Sequence, residues 1–388
     1  MRILYCAIDQ QVPGTTGGSV HVGAVAGGLA ALGHEVHALA RRGGSSFPEG
    51  RVRWHHVEPP LGIARLRLAR APQVLALARQ VKPHVVIERY HNFGGEGIRA
   101  AARTGALGVL EINAPVVDYA DSLKRRLDRA LLVEPMRRWR DWQCRTADLL
   151  ITPVAAIVPA WVPGERLVEI EWGADTERFH PGAHGRVPFT RTPGHTVAVF
   201  AGAFRRWHGA IGLVDAIRRL RLGGCRAIDA VFIGDGPELP AARRAAASID
   251  GIRFTGAIPH EDMPAALAAA DIGVAPFDVA AHPPLSLGFY WSPLKVFEYM
   301  ASGLPVVAPA IERLSRIVTN DREGILYDST SAGGLAGALE GLTDSGRRRA
   351  LGAAARDRVV RHFGWDRHCE RLATAIEAAL ERRGRQVR

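Results

Sequence analysis

Short apolar runs recur along the chain, each followed by a glycine-rich or polar turn and then by a stretch of helical periodicity. RILYCAI (2–8) leads into a glycine-rich turn and a helix predicted from about Ser19 to Leu32, with Gly33 placed to end it. EVHALA, HVVIE and GVLEI repeat the strand pattern. After residues 190–194 the series restarts with HTVAVFA, a turn, a helix from Gly209, and then AIDAVFI, GIRFTGAI, DIGVAP, LPVVAP and GILYD. Such alternation predicts parallel sheets covered by helices. Two series predict two doubly wound α/β domains, over 1–175 and 190–363, and two sheets facing one another would leave a ligand cleft at their strand ends. The Gly- and Pro-rich stretch from Trp172 to His195 reads as the linker. A last helix within 364–388 has an apolar stripe at Cys369, Leu372, Ala373, Ile376 and Leu380.

Composition narrows the class. With 388 residues, 47% hydrophobic and 23% charged, the chain can build two cores. Cys6, Cys144, Cys225 and Cys369 are far apart and form no CxxC, which argues for free thiols over a disulfide framework or structural zinc. Only a short apolar run precedes Asp9, and no run nears the roughly 20 apolar residues that span a bilayer. The expectation is a soluble, cytoplasmic protein. A net charge of +11 favours anionic partners. The arginines are dispersed and not interleaved with stacking aromatics, so nucleic acid is not expected among them. The same charge is compatible with peripheral association at the inner membrane surface, and equally with a solubilising surface.

The stretch SPLKVFEYMASGLPVV (292–307) carries the sharpest chemistry. Ser292 is a natural N-cap, Pro293 suits the first helical position and Gly303 the stop. Leu294, Phe297 and Ala301 share a core-facing side, while Lys295 and Glu298 share another, one turn apart. A helix N-terminus with Lys295 beside it makes an anion site, and Glu298 suits ribose hydroxyls. A solvated ion pair would use the same two residues. Gly17 and Gly18 permit close approach of backbone to a ligand, but VPGTTGGSVHVG lacks dinucleotide spacing and also suits an ordinary turn. AGAFRRWHG (201–209) puts Arg205 and Arg206 at a strand end, where a guanidinium fork suits phosphate or simply covers surface. Gly234 in FIGDGPEL opens another strand-to-helix turn. In the first half, Glu88, Arg89 and His91 leave one strand and Glu111 and Asn113 another, as residues lining a cleft do.

In order along nearly the whole chain, GTTGGSVHVGAVAGGLAALGHEV, IERYHNFGGEGI, LEINAP, WGADTERFHPG, GAFRRWHG, FIGDGPEL, IRFTGAIPHEDMPAALAAADIGVAPF and SPLKVFEYMASGLPVVAP resemble the motifs of family 4 glycosyltransferases, retaining nucleotide-sugar enzymes. The resemblance implies a GT-B fold, two Rossmann-like domains facing across a cleft, with the acceptor side first and the nucleotide-sugar side second. It implies that Arg205, Lys295 and the Leu294 and Lys295 backbone hold the donor diphosphate. It places Glu298 on the donor ribose and the turn from Gly256 to Ile258 at the base, with Gly234, His208 and Tyr290 as further donor contacts. Gly17 and Gly18 would approach the diphosphate and sugar, and Asn113 stands where many relatives have a histidine near that sugar. Asn113, Arg205 and Lys295 are thus the implied catalytic set, with Glu88, Arg89, His91 and Glu111 on the acceptor side.

Two departures stand out. The first Glu of the family's E-x7-E motif falls on Tyr290, and its usual basic pair becomes Ala203 and His208. The implied reaction transfers a sugar from a nucleoside diphosphate to a hydroxyl of a small-molecule, glycan or lipid-linked acceptor, forming an α-glycosidic bond with neither metal nor cofactor. A sugar-nucleotide 2-epimerase of the same fold would want acid and base carboxylates. A non-catalytic sugar-nucleotide-binding protein would account for Tyr290 and Asn113.

Overall fold

The computed structural model describes residues 1–119, 122–131 and 134–386. The chain divides into two compact units: unit 1 is Met1–Trp172 with Tyr290–Ser292 and the segment from Trp365, and unit 2 is Gly173–Phe289 with Pro293–Gly364.

Unit 1 is built on seven strands, β1 (Arg2–Val12), β2 (Glu35–Arg42), β3 (Arg53–His56), β4 (Val85–Arg89), β5 (Leu107–Glu111), β6 (Leu149–Thr152) and β7 (Leu167–Glu169). They lie parallel in the order β3-β2-β1-β4-β5-β6-β7. The central runs are apolar throughout because helices cover both faces. β1 outruns its apolar run, and its register with β2 shifts between Cys6 and Gln11. The Gly17–Ala31 helix starts earlier than the predicted Ser19 because Thr16 is its N-cap, the Thr16 side chain accepting from the Ser19 amide. Gly33, at φ 86°, follows its end as predicted. Against this helix packs the Trp365–Gln386 helix through Cys369, where a Cβ on Gly28 would overlap the Cys369 sulfur. Cys369, Leu372, Ala373 and Ile376 of the predicted stripe are buried, and Leu380 is half-buried. Residues 387 and 388 lie outside the described residues.

Unit 2 has six strands, β8 (Thr196–Ala201), β9 (Ile228–Ile233), β10 (Ile252–Gly256), β11 (Ile272–Val274), β12 (Val306–Pro309) and β13 (Gly324–Tyr327). They too are parallel, in the order β10-β9-β8-β11-β12-β13. Phe200, Phe204 and Phe232 pack with Leu213, Ile217, Ile272 and Val307 in its core. In each sheet the winding reverses once, between β1 and β4 and between β8 and β11, and in such folds ligands sit outside the strand ends at that reversal. The front of the predicted linker is tied to unit 2. The Arg356 guanidinium donates to the carbonyls of Thr176, Phe179 and Ala301, and Ala174 bridges Gly364.

Among the described residues no helix is long and apolar enough to cross a membrane, and no three His, Cys, Asp or Glu converge as a metal site.

Candidate functional site

The loops leaving β8, β9 and β10 are locked together by glycine. Gly202, Gly234 and Gly256 have φ of 135°, 133° and 75°, values that side chains disfavour. The Gly202 amide donates to the Ile233 carbonyl at 2.9 Å and the Gly234 amide to the Gly256 carbonyl at 2.8 Å. A Cβ on Gly234 would overlap the Gly202 carbonyl oxygen. These turns leave bare backbone at the β8 end of the switch point.

The Leu294–Ala301 helix delivers the charge. It starts one residue later than Ser292 as cap predicts: Pro293 is its N-cap, and no side chain caps it. Gly303, at φ 73°, follows its end as predicted. Phe297 and Ala301 are fully buried, but Lys295 is 9% exposed, which rules out the solvated ion pair. Its Nζ lies 4.1 Å from the Phe200 ring centre and 5.4 Å from that of Phe277, and it has no hydrogen-bond partner among the described residues. Burial pushes the Lys295 ammonium down to about 7, opposed by the nearby Glu298 carboxylate. Burial in turn pushes the half-buried Glu298 up to about 7, opposed by Lys295 and Arg178.

Arg205 is exposed, its guanidinium 5.5 Å from the Trp207 ring centre. It lines a 410 Å³ pocket with Arg206, Glu238 and the start of the Ala210–Leu222 helix, whose N-cap Gly209 could carry no Cβ without striking the Pro276 carbonyl. His208 does not supply the charge of the basic residue that the resemblance implies at this position. Its Nδ1 is 2.5 Å from the Ala203 carbonyl, and burial together with the Lys295 charge pushes it down to about 3. The imidazole is therefore neutral at pH 7 and brings no cation. Leu294 opens the helix and is half-buried, and Ile258 is half-buried in the turn after β10. Arg205, His208, Gly234, Ile258, Leu294, Lys295 and Glu298 thus all belong to unit 2. Tyr290 does not: it groups with unit 1, 4% exposed, and burial pushes its hydroxyl up to about 12.

In unit 1, Gly17 opens its helix and a Cβ on Gly18 would overlap the Gln10 side chain, with Arg89 Nη2 3.5 Å away. The predicted acceptor residues separate. Glu88 is fully buried, accepting from the Gly95 amide at 2.5 Å and the Ile98 amide at 2.7 Å, with Arg67 Nη2 at 3.8 Å. Its carboxylate holds the start of the Glu96–Thr104 helix and does not line an open surface. Glu111 is likewise buried, accepting from the Tyr5 hydroxyl at 2.6 Å with His21 Nε2 at 2.8 Å. These partners and Arg89 hold its carboxyl well below the usual carboxylate range despite burial. Arg89 meets His21 Nδ1 at 3.2 Å and lies 5.7 Å from the Trp172 ring centre. His91 turns its Nδ1 to the Phe93 amide. Past the end of β5, Asn113 Oδ1 accepts from Trp172 Nε1 at 3.0 Å, while its Nδ2 has no partner among the described residues.

Tyr5, His21, Arg67 and Trp172 escape sequence reasoning. A signal existed for His21, which shares a helix face with Val25 and Leu29 and so must be inward.

Two family models match the chain, "Glycosyltransferase Family 4" over residues 15–178 and "Glycosyl transferases group 1" over residues 195–345. Together they take in most of both units. The chain belongs to glycosyltransferase family 4. A GDP-mannose-dependent alpha-(1-6)-phosphatidylinositol monomannoside mannosyltransferase of Mycobacterium tuberculosis is 29% identical over 55% of this chain. That match spans only 56% of the relative's own length. The MMP alpha-(1->4)-mannosyltransferase of Mycolicibacterium hassiacum is 26% identical over 94% of this chain and 95% of its own. A sucrose-phosphate synthase from Thermosynechococcus elongatus superposes with a TM-score of 0.69 at 19% identity, over 96% of this chain and 97% of that one. The family 4 fold is therefore GT-B, with two Rossmann-like units.

Proposed function

We propose that the protein transfers a glycosyl group from a nucleoside-diphosphate sugar to a hydroxyl acceptor, with retention of the α-configuration. The observation that carries this reading is the Lys295 ammonium, buried beside the switch point of unit 2 without a hydrogen-bond acceptor among the described residues. An isolated buried cation is costly, and a bound anion would complete it.

A diphosphate against the first turn of the Leu294–Ala301 helix would meet backbone amides, Lys295 and the Arg205 fork. Glu298, one turn on, would accept from the ribose hydroxyls. As the bond from the sugar C1 to the phosphate oxygen breaks, negative charge grows on the diphosphate, and the two cations stabilise it without a metal ion. The acceptor oxygen forms its bond to C1 on the face the diphosphate leaves, and the departing phosphate oxygen takes the acceptor's proton. The products are a glycoside and a nucleoside diphosphate. In unit 1, the Asn113 amide offers a donor suited to a sugar hydroxyl. The name of the Mycobacterium tuberculosis relative puts GDP-mannose and a phosphatidylinositol mannoside acceptor first among substrates to try.

A thermal-shift panel of nucleoside diphosphates, followed by their sugars with candidate acceptors and NMR of the product's anomeric proton, tests the reading. Stabilisation by one diphosphate and an α-linked product is the expected result. No stabilisation by any of them, conversion of the sugar nucleotide without an acceptor, or a β-linked product would overturn it.

A further inference from the structure

The Leu123–Leu131 helix of unit 1 has an outward apolar face. Leu123, Leu127 and Leu131 are 64%, 45% and 55% exposed, and their spacing of four puts them on one side. Arg125, Arg126 and Arg129 are exposed around the rest of the helix. Only Asp128 among its described side chains is buried, and it is spent internally, accepting from the amides of Met136 and Arg137. Ser122 Oγ accepts from the Arg125 amide at the other end. The helix is therefore anchored to the neighbouring Pro135–Thr146 helix through one carboxylate, and its three leucines keep roughly half or more of their surface exposed. That second helix adds exposed Arg137 and Arg138.

Three leucines in water beside five arginines is a poor surface for a free protein and a good one for an anionic bilayer. The leucines enter the acyl boundary and the arginines reach the headgroup phosphates. We infer that the Leu123–Leu131 helix docks this protein on the surface of an anionic lipid membrane. An acidic protein partner would satisfy the arginines but gives no reason for a leucine face without a groove to receive it. The inference goes beyond the glycosyl-transfer reading and is independent of it, since membrane binding is measured without donor or acceptor.

Co-sedimentation of the full chain with phosphatidylcholine vesicles, with and without phosphatidylglycerol, is the test. Binding is expected to the anionic vesicles and to be at least about tenfold weaker to the neutral ones. Leu123→Ser/Leu127→Ser/Leu131→Ser should weaken it by about tenfold or more, and Arg125→Glu/Arg126→Glu/Arg129→Glu by about a hundredfold. All six positions are exposed, and an unchanged circular dichroism melt shows that the variants fold. No binding to anionic vesicles, equal binding to neutral ones, or leucine variants that bind like the parent would each overturn the inference. So would binding to soluble polyglutamate as tight as to vesicles, which would mark an acidic macromolecule as the partner.

Discussion

The Lys295 ammonium stands 4.1 Å from the centre of the Phe200 ring. A ring face attracts a cation, but more weakly than the water that burial removes. The site thus holds a charge that the empty fold would be more stable without. Lys295→Met should therefore stabilise the ligand-free protein at pH 6 by about 1–3 kcal/mol. With the folded value lowered from 10.5 to about 7, the lysine penalises the fold fully below pH 7, and the penalty fades as pH rises towards 10.5. The variant's advantage should fade over the same window. Urea denaturation across that range measures it, and a variant less stable than the parent at pH 6 would refute the account.

The same substitution should weaken nucleoside-diphosphate binding and cut turnover by about 10²–10³-fold. In the parent, diphosphate affinity should fall as pH rises through about 7, because the anion binds the protonated lysine. Calorimetry at several pH values checks the slope, which Lys295→Met should abolish.

Glu298→Gln separates the two halves of the proposed ligand. It should cost about tenfold to a hundredfold in affinity for a nucleoside diphosphate, the worth of hydrogen bonds to a charged acceptor. Inorganic pyrophosphate should bind the variant at least as well as the parent. Equal losses for both ligands would place Glu298 away from the ribose.

Gly234→Ala tests the glycine lock. At φ 133°, with the Gly202 carbonyl where a Cβ would stand, the substitution should cost about 2–4 kcal/mol, read as a lower unfolding midpoint. A variant within about 0.5 kcal/mol of the parent would mean that the turns yield easily.

Glu111→Gln should destabilise unit 1 by about 2–4 kcal/mol at pH 7, since it weakens a buried group that Tyr5 and His21 both meet. The Glu111 carboxyl is held below its ordinary value of 4.5, so its contribution is present above that pH and lost as pH falls beneath it. The gap between parent and variant should accordingly shrink in acid.

The strands that read cleanly in the sequence are those buried on both faces, such as VAVFA in β8 and AVFI in β9, where the apolar run is the strand. β3, with the residues RWHH, shows no apolar run because it is an edge strand paired to β2 alone. At the site, Lys295 and Glu298 were legible because helical spacing fixes their common side. The burial of Lys295 was not, since it depends on Phe200 and Phe277, which reach it from two other segments. Glu88 and Glu111 misled for the same reason. A carboxylate at a strand's end reads as cleft-facing until the partners on distant segments, Arg67 for one and Tyr5 and His21 for the other, are known to meet it.

The Trp365–Gln386 helix seats Cys369 against Gly28 in unit 1, although all of residues 173–364 are made between them. At the usual pace of synthesis that interval lasts roughly 10–40 s. Throughout it the nascent first unit must leave the side of the Gly17–Ala31 helix that carries His21 and Gly28 without Trp365, His368 and Cys369, so its folding on the ribosome can finish only after the second unit has emerged.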